Sequence, residues 1–303
     1  MTDIVFFMHN GDGRDCYLSC AQDYDRQRIS AMAERIYDSH CHVYADRIAP
    51  KAVDAINDFY GGLPVSSFDG TVSALLHSGK EHDISGFVVH SVATKPGQVS
   101  PINAYFGKLK QDLSADVRLF ALGAMHPESE DPGRDFEELL DQGLTGVKMH
   151  PDIQKFPADC PEAMGIYEMC EEKGLPVLLH TGDFRYDYSN PDRIARILRR
   201  FPKLRLVGAH FGGWSVWEEA LRRLSDFENF AVDTSSSLYW LKPGRAKEII
   251  RAWGSGRVMF GTDYPMWDPG PELEYLRRLE LEREEYEDIC WRTCERIYGN
   301  AEP

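Results

Sequence analysis

The sequence predicts a closed (β/α)8 barrel, and three observations carry that reading. Eight short runs, apolar at successive positions, lie between residues 35 and 265. Such runs suit strands covered on both faces, as in parallel sheets. Longer amphipathic stretches separate them, which is the pattern of helical crossovers between parallel strands. The run ends near 90, 126, 150, 180, 210, 235 and 263 recur at roughly 30-residue intervals, about the length of one βα unit. An open doubly wound sheet would carry a glycine-rich phosphate loop after its first strand, and neither GxGxxG nor GxxxxGK[ST] is present.

The first run is RIYDSHCHVY (35–44). A longer gap of about 50 residues follows, with two helix candidates, PKAVDAINDFYGG (50–62) and TVSALLHSG (71–79). SGFVVHSV (85–92) and RLFALGAMHP (118–127) are the second and third strands, and DFEELLDQG (135–143) is a helix ending on Gly143, a suitable residue just past a helix C-terminus. GVKMHP (146–151) and LPVLLHTGD (175–183) come next. NPDRIARILRRFP (190–202) has Asn190 and Pro191 to start a helix and Pro202 to stop it. RLVGAHFGG (205–213), NFAVDTSSS (229–237) and RVMFGTDYP (257–265) complete the strands, with helices in WSVWEEALRRLSD (214–226) and PGRAKEIIRAWG (243–254). The last helix, in EREEYEDICWRTCERIYG (282–299), is expected to pack outside the barrel. Residues 1–34 form an N-terminal extension whose IVFF is either a short strand over the barrel's bottom or a partner contact; the barrel domain takes 35–303.

The 303 residues are 43% hydrophobic and 27% charged, as in an ordinary soluble domain. A net charge of -15 repels phosphate backbones and anionic lipid heads, which argues against nucleic-acid or membrane-surface partners. A small anionic substrate stays compatible, since local cations can dominate inside a pocket. No apolar run approaches the ~20 residues of a membrane span, and no basic region precedes the short apolar stretch in MTDIVFFMHNGDGRD, so no secretory signal is expected. Seven cysteines, an odd count, read as reduced thiols in a cytoplasmic protein. The spacing of Cys16 with Cys20, and of Cys290 with Cys294, puts each pair on one side of a helix and favours packing over function.

Seven of the ten histidines, His40, His42, His90, His126, His150, His180 and His210, fall inside or at the C-terminal end of a predicted strand. Random placement would put far fewer there, and the C-terminal mouth is where this fold carries its active site. His40 and His42 are two apart on one strand, so both point the same way and can reach one ion. Asp263, after RVMFGT, is a carboxylate that burial would penalise unless paired or metal-bound; otherwise it caps a turn into Tyr264-Pro265. His180 closes the apolar VLLH, as a ligand or as a core histidine with one hydrogen bond. Three nitrogens and a carboxylate oxygen suit one divalent ion, with zinc expected and manganese the alternative.

D-S-H-C-H, G-V-K-M-H-P, H-T-G, A-H-F-G-G and G-T-D-Y-P, in this order over residues 35–299, resemble the amidohydrolase superfamily, and within it the amidohydrolase-2 family. The resemblance implies a distorted TIM barrel and a metal-dependent hydrolase, lactonase, hydratase or non-oxidative decarboxylase. It implies that His40, His42, His180 and Asp263 hold the metal, that Asp263 also takes a proton from metal-bound water, and that His210 contacts substrate or nucleophile. Several aromatic-acid decarboxylases of the family carry Glu-x-His on the first strand where this chain has His-x-His. Lys148 is compatible with three roles: a carboxylated bridge between two metals, a positive charge for a substrate carboxylate, or a structural ion pair. His150 shares its face and is a candidate for substrate binding or for supporting a ligand. Arg185, Tyr188, Trp214, Trp240 and Trp267 lie just beyond strand ends, as pocket lining for a flat or carboxylated substrate or as plain packing. The expected activity is hydrolysis of a small ester, lactone or amide. Non-oxidative decarboxylation on the same residues is the alternative, and a non-catalytic binding barrel the second. The expected partner is a small molecule, with a homodimer as the expected assembly.

Overall fold

In the computed structural model, which describes residues 35–62, 66–113 and 115–299, every strand pairing is parallel. The N-terminal extension, with its IVFF segment and the Cys16–Cys20 pair, lies outside the described residues. β1 (Tyr37–His42), β2 (Gly86–His90) and β3 (Arg118–Ala121) form one run of the sheet. β4 (Gly123–Ala124), β5 (Val147–Met149), β6 (Val177–Leu179), β7 (Leu206–Gly208), β8 (Phe230–Asp233) and β9 (Val258–Met259) form the other. β3 and β4 are one passage of the chain broken at Leu122. Leu122 N still bonds Val89 O at 2.9 Å, whereas Gly123 N turns to Gly146 O at 2.9 Å, so this stave passes the ladder from β2 to β5. The last stave returns to the first through Ser39 N→Phe260 O at 2.9 Å, His42 N→Tyr264 O at 2.7 Å and the Cys41–Tyr264 bridge. The ring closes as the (β/α)8 barrel that the sequence predicts.

The ladders are shorter than the apolar runs. The chain leaves extended geometry at the mouth, where His210 (φ 60), Phe211 (φ 53) and Asp263 (φ 59) are left-handed. That conformation is costly for residues with a Cβ and recurs where side chains must be aimed at a site.

Helices α1 (Ala49–Phe59) and α2 (Val72–Glu81) fill the long first connection, the second started by Thr71, whose hydroxyl accepts from Ala74 N at 3.2 Å. The sequence reading has no counterpart for α3 (Val99–Leu113), the short α5 (Pro151–Gln154) or α6 (Pro161–Lys173). The signal was present in α6, whose buried Ala163, Ile166, Tyr167 and Cys170 fall at helical spacing. α4 (Pro132–Asp141) starts before the expected residue, because Asp131 accepts from Arg134 N at 3.0 Å and Pro132 fits the first turn. α7 (Pro191–Arg200), α8 (Trp217–Leu224) and α9 (Pro243–Trp253) match expectation, and α10 (Pro269–Arg278) is additional.

The C-terminal segment corrects the sequence reading. α11 (Arg283–Glu287), one π-helical stretch (Asp288–Arg292) and α12 (Thr293–Tyr298) do not simply lie outside the barrel. Cys294, Ile297 and Tyr298 belong to the same buried cluster as the barrel residues Val88, Phe120, Leu178, Val207 and Met259. Glu295 pairs with Arg118 at the start of β3, so α12 plugs the end of the barrel opposite the mouth. Cys290 and Cys294 are buried free thiols, Cys294 in this seam and Cys290 in the core outside it. Among the described residues no helix is long and apolar enough to cross a membrane.

Candidate metal centre

The expected pair on β1 points into the mouth as its spacing requires. His40 Nε2 and His42 Nε2 are 3.2 Å apart, and Asp263 Oδ1 stands 3.4 Å from the first and 3.5 Å from the second. A tetrahedral ion with ligands at 2.0–2.1 Å separates neighbouring donors by ~3.3 Å. These three atoms therefore already have the spacing of three corners of a zinc or manganese shell. All three side chains are buried.

The rest of each ligand is held. His40 Nδ1 lies 2.8 Å from Asp233 Oδ2. The carboxylate accepts a hydrogen bond from Nδ1–H, which leaves the Nε2 lone pair for an ion, as metal-bound histidines require. Asp233 is fully buried, and its Oδ1 accepts from His210 N at 3.0 Å, Ser235 N at 3.1 Å and the Ser235 hydroxyl. Asp38 ties β1 to the Asp263 loop, accepting from His40 N at 3.2 Å, Thr262 N at 3.0 Å and Thr262 Oγ1 at 2.5 Å. Burial nonetheless pushes the Asp38 carboxyl up to about 6. Asp263 Oδ2 is 2.5 Å from Ser236 Oγ, and Trp267 Nε1 donates to that same hydroxyl at 2.9 Å. An indole N–H can only donate, so the Ser236 proton must point at Asp263.

His180 is brought close but not into this triangle. His210 Nδ1 sits 2.9 Å from the Ser235 carbonyl, which only accepts, so His210 carries its proton there. Its Nε2 then accepts from His180 Nδ1 at 3.0 Å. His180 Nε2 is left with a lone pair, buried and without a partner, 3.9 Å from Asp152 Oδ2. Two groups have ligand atoms within 4.8 Å of one another: His40, His42 and His90, and a second of His150, Asp152 and His180. His150 stacks on His180 with ring centres 3.8 Å apart. Its Nδ1 accepts from Ile153 N at 3.2 Å, which puts its proton on Nε2, 3.4 Å from the Tyr60 hydroxyl.

Burial holds the imidazoles neutral: it lowers the pKa of His40, His90, His150 and His180 well below the ordinary value, and takes His42 to about 3 with the Lys148 ammonium adding to the effect. A neutral imidazole is the form that binds metal. Lys148 Nζ approaches His40 Nε2 to 3.2 Å, and burial brings its pKa down to about 8. Among the described residues no carboxylate lies within 4.0 Å of it, while Asp263 and Asp233 favour its charged form from farther off.

The cleft above these groups is walled by Tyr60, Ile56, Ile153, Pro265 and Met266. Arg185 sits at its rim as a clamp. Its Nη2 and Nε bond Asp183 at 2.7 and 3.0 Å, and its Nη1 bonds Phe59 O at 2.8 Å. Phe59, Tyr60, Tyr186 and Trp214 surround its guanidinium at 4.9–5.3 Å. Trp214 packs on Tyr60 and Trp267 on Tyr239, Trp240 is largely exposed, and Tyr188 meets Tyr186. His126 caps its own turn, its Nδ1 accepting from Glu128 N at 3.2 Å. Asp233, Asp38, Ser236, Asp152 and Tyr60 were not singled out by sequence. The one signal available was a lone Asp closing the apolar FAV of β8.

Residues 37–300 match the family described as Amidohydrolase. No functionally curated relative matches. Among solved structures, an uncharacterized TIM-barrel protein from Bordetella bronchiseptica superposes with a TM-score of 0.75 at 20% identity, over 88% of this chain and 99% of that one. 5-Carboxyvanillate decarboxylase from Sphingomonas paucimobilis gives 0.67 at 17%, over 88% and 99%. A dihydroxybenzoic acid decarboxylase from Polaromonas sp. JS666, solved with manganese and the inhibitor 2-nitroresorcinol, gives 0.64 at 12%, over 88% and 97%.

Proposed function

Because the chain belongs to the amidohydrolase-2 family, we propose that it is a metal-dependent enzyme whose reaction is non-oxidative decarboxylation of a small aromatic or unsaturated carboxylic acid. The observation that carries this reading is Lys148, a buried amine 3.2 Å from a ligand of the candidate metal, with no carboxylate within 4.0 Å among the described residues and Asp263 and Asp233 acting on it from farther off. A buried cation is costly unless an anion meets it, and a substrate carboxylate is the anion this cleft would admit. His40, His42 and Asp263 would hold the ion, with the unpartnered His180 Nε2 the fourth donor we assign. When bound, a divalent ion supplies Lewis-acid polarisation of a substrate oxygen.

The chain's own groups do the remainder. Lys148, whose N–H points at the His40 lone pair, would be free to turn to the substrate carboxylate were that lone pair engaged by an ion. Tyr60, on the cleft wall and backed by Trp214, offers a flat face for a planar ring, and His150 Nε2–H with the Tyr60 hydroxyl offers donors beside it. Cleavage of the bond between carboxylate and carbon leaves the electron pair on carbon, which needs one proton. Asp263 is the carrier we assign, taking that proton from solvent or a substrate hydroxyl and passing it to the carbon, while Ser236 holds its Oδ2 and its Oδ1 lies toward His40 and His42. The relatives named as carboxyvanillate and dihydroxybenzoic acid decarboxylases act in this class of chemistry.

Hydrolysis is the rival reading. β1 supplies His40 where several aromatic-acid decarboxylases of the family carry Glu, which leans away from those enzymes but not from decarboxylases of the aminocarboxymuconate type. In that reading Asp263 accepts a proton from water and His210 steadies the charge that develops. The two separate on metal-replete protein offered a panel of hydroxybenzoic and unsaturated acids beside aryl esters and lactones. Carbon dioxide release from an acid is expected; ester or lactone opening with no carbon dioxide from any acid would overturn decarboxylation.

A further inference from the structure

We propose that His90, at the end of β2, is a positioning residue of the metal centre that holds His42 by taking the proton on its Nδ1. The inference rests on the metal reading above and extends it to a residue with no role there. His42 turns Nε2 to His40 and Asp263. To offer a lone pair at that atom, the neutral ring must carry its proton on Nδ1. For His40 the equivalent proton goes to Asp233. For His42, Nδ1 is buried and has no partner.

The ring beside it has the complementary lack. His90 is fully buried, and both of its nitrogens are without a partner. The rings of His42 and His90 are 4.4 Å apart at 86°, and the ladder itself pairs the two residues across β1 and β2. Three unpartnered nitrogens on two touching rings are exceptional in an interior where buried polar groups are paired. A leucine or phenylalanine would fill the volume of His90 without that cost. A small rotation of either ring, or one bridging water, closes the bond. His90 then orients His42 as Asp233 orients His40, and it does so with a neutral acceptor where His40 has an anionic one.

The test uses the metal alone. Metal-free parent, His90→Phe and His90→Asn are titrated with Zn2+ in competition with a chromophoric chelator, and the thermal unfolding of each metal-free protein is recorded. The parent is expected to bind one ion. His90→Phe should still bind one ion, 10–100-fold more weakly, the loss typical when the support of a ligand is removed. His90→Asn keeps a side-chain acceptor and should recover most of that loss. Equal affinity in parent and His90→Phe would overturn the inference while leaving the metal reading intact. Complete loss of the ion from both variants, with unfolding temperatures like the parent's, would also overturn it, because it would make His90 a ligand. A parent that binds no metal would overturn both.

Discussion

The mouth of the barrel holds two groups of histidine and carboxylate that differ in how they are tied. Around His40, His42 and Asp263, most of the outward-facing atoms have a partner: Asp233 behind His40, Ser236 and Trp267 behind Asp263, and Asp38 locking β1 to the Asp263 loop. Around His150, Asp152 and His180, less is committed. Asp152 is bonded by Ser189 at 2.5 Å through Oδ2, but its Oδ1 and His180 Nε2 are buried with no partner. Burial drives the Asp152 carboxyl up to about 7. Most of the first group, His42 Nδ1 excepted, is hydrogen-bonded in place, as a metal shell needs. The second has unspent hydrogen-bonding capacity, as a surface that must still meet a ligand would have.

The largest effect should come from the first group. Asp263→Asn keeps an oxygen at the same length and should retain most of the metal, yet an amide cannot carry the proton. Turnover should fall by about 10²–10⁴. Metal content and rate measured on one preparation decide it, and a metal-replete variant with more than about a tenth of the parent's rate removes Asp263 from the proton path.

Next, the two buried aspartates should separate. Asp233→Asn loses the anion that fixes the His40 tautomer and should weaken metal binding about 10–100-fold. Asp152→Asn should leave metal affinity within about threefold, within the scatter of such measurements, while lowering kcat/KM. Equal metal losses in both would erase the distinction between the groups. Lys148→Met tests their meeting point. Removing the cation should raise KM for an anionic substrate about tenfold or more, in line with a lost charge-assisted contact, with metal retained. A KM unchanged within twofold would leave the carboxylate of the substrate without its proposed partner.

The smallest effect lies outside both groups and shows that burial alone does not make a site. Glu272 on α10 is buried with Oε2 unpartnered, and burial, with Asp38 adding, raises its carboxyl from 4.5 to about 8. A folded-state value above the unfolded one contributes stability that is full below about 4.5 and is lost as pH rises through about 8. Glu272→Gln cannot ionise, so its unfolding temperature relative to the parent should climb between pH 5 and pH 9, by about 2 °C or more at the upper end. A difference that is flat with pH would show that Glu272 reaches solvent in the folded protein.

What was legible in the sequence follows the range of the interaction. His40 and His42 could be read as a pair because alternation along one strand is local. The barrel could be read because strand–helix alternation repeats. Asp233 could not be assigned, since its partner His40 lies 193 residues away and only closure of the ring brings them together. Asp38 is the same case, 224 residues from Thr262, whereas Ser236 meets Asp263 only 27 residues on, from the next stave. His180 was read as a ligand from its place at a strand end, but which way its ring faces depends on the Ser235–His210 chain, which no spacing encodes. The strands were read too long because apolar residues continue past the ladder into the left-handed turns that aim His210 and Asp263.

The plug formed by α12 has a consequence for how the molecule comes apart. Thr293–Tyr298 follows the nine described strands along the chain, and it belongs to the cluster containing Val88, Phe120, Leu178 and Met259. A chain whose α12 had not docked would leave that part of the apolar lining without the cover this helix gives it, open to chaperones and proteases. Undocking of these turns, in place of any event at the catalytic end, is the lesion expected to expose the barrel's interior.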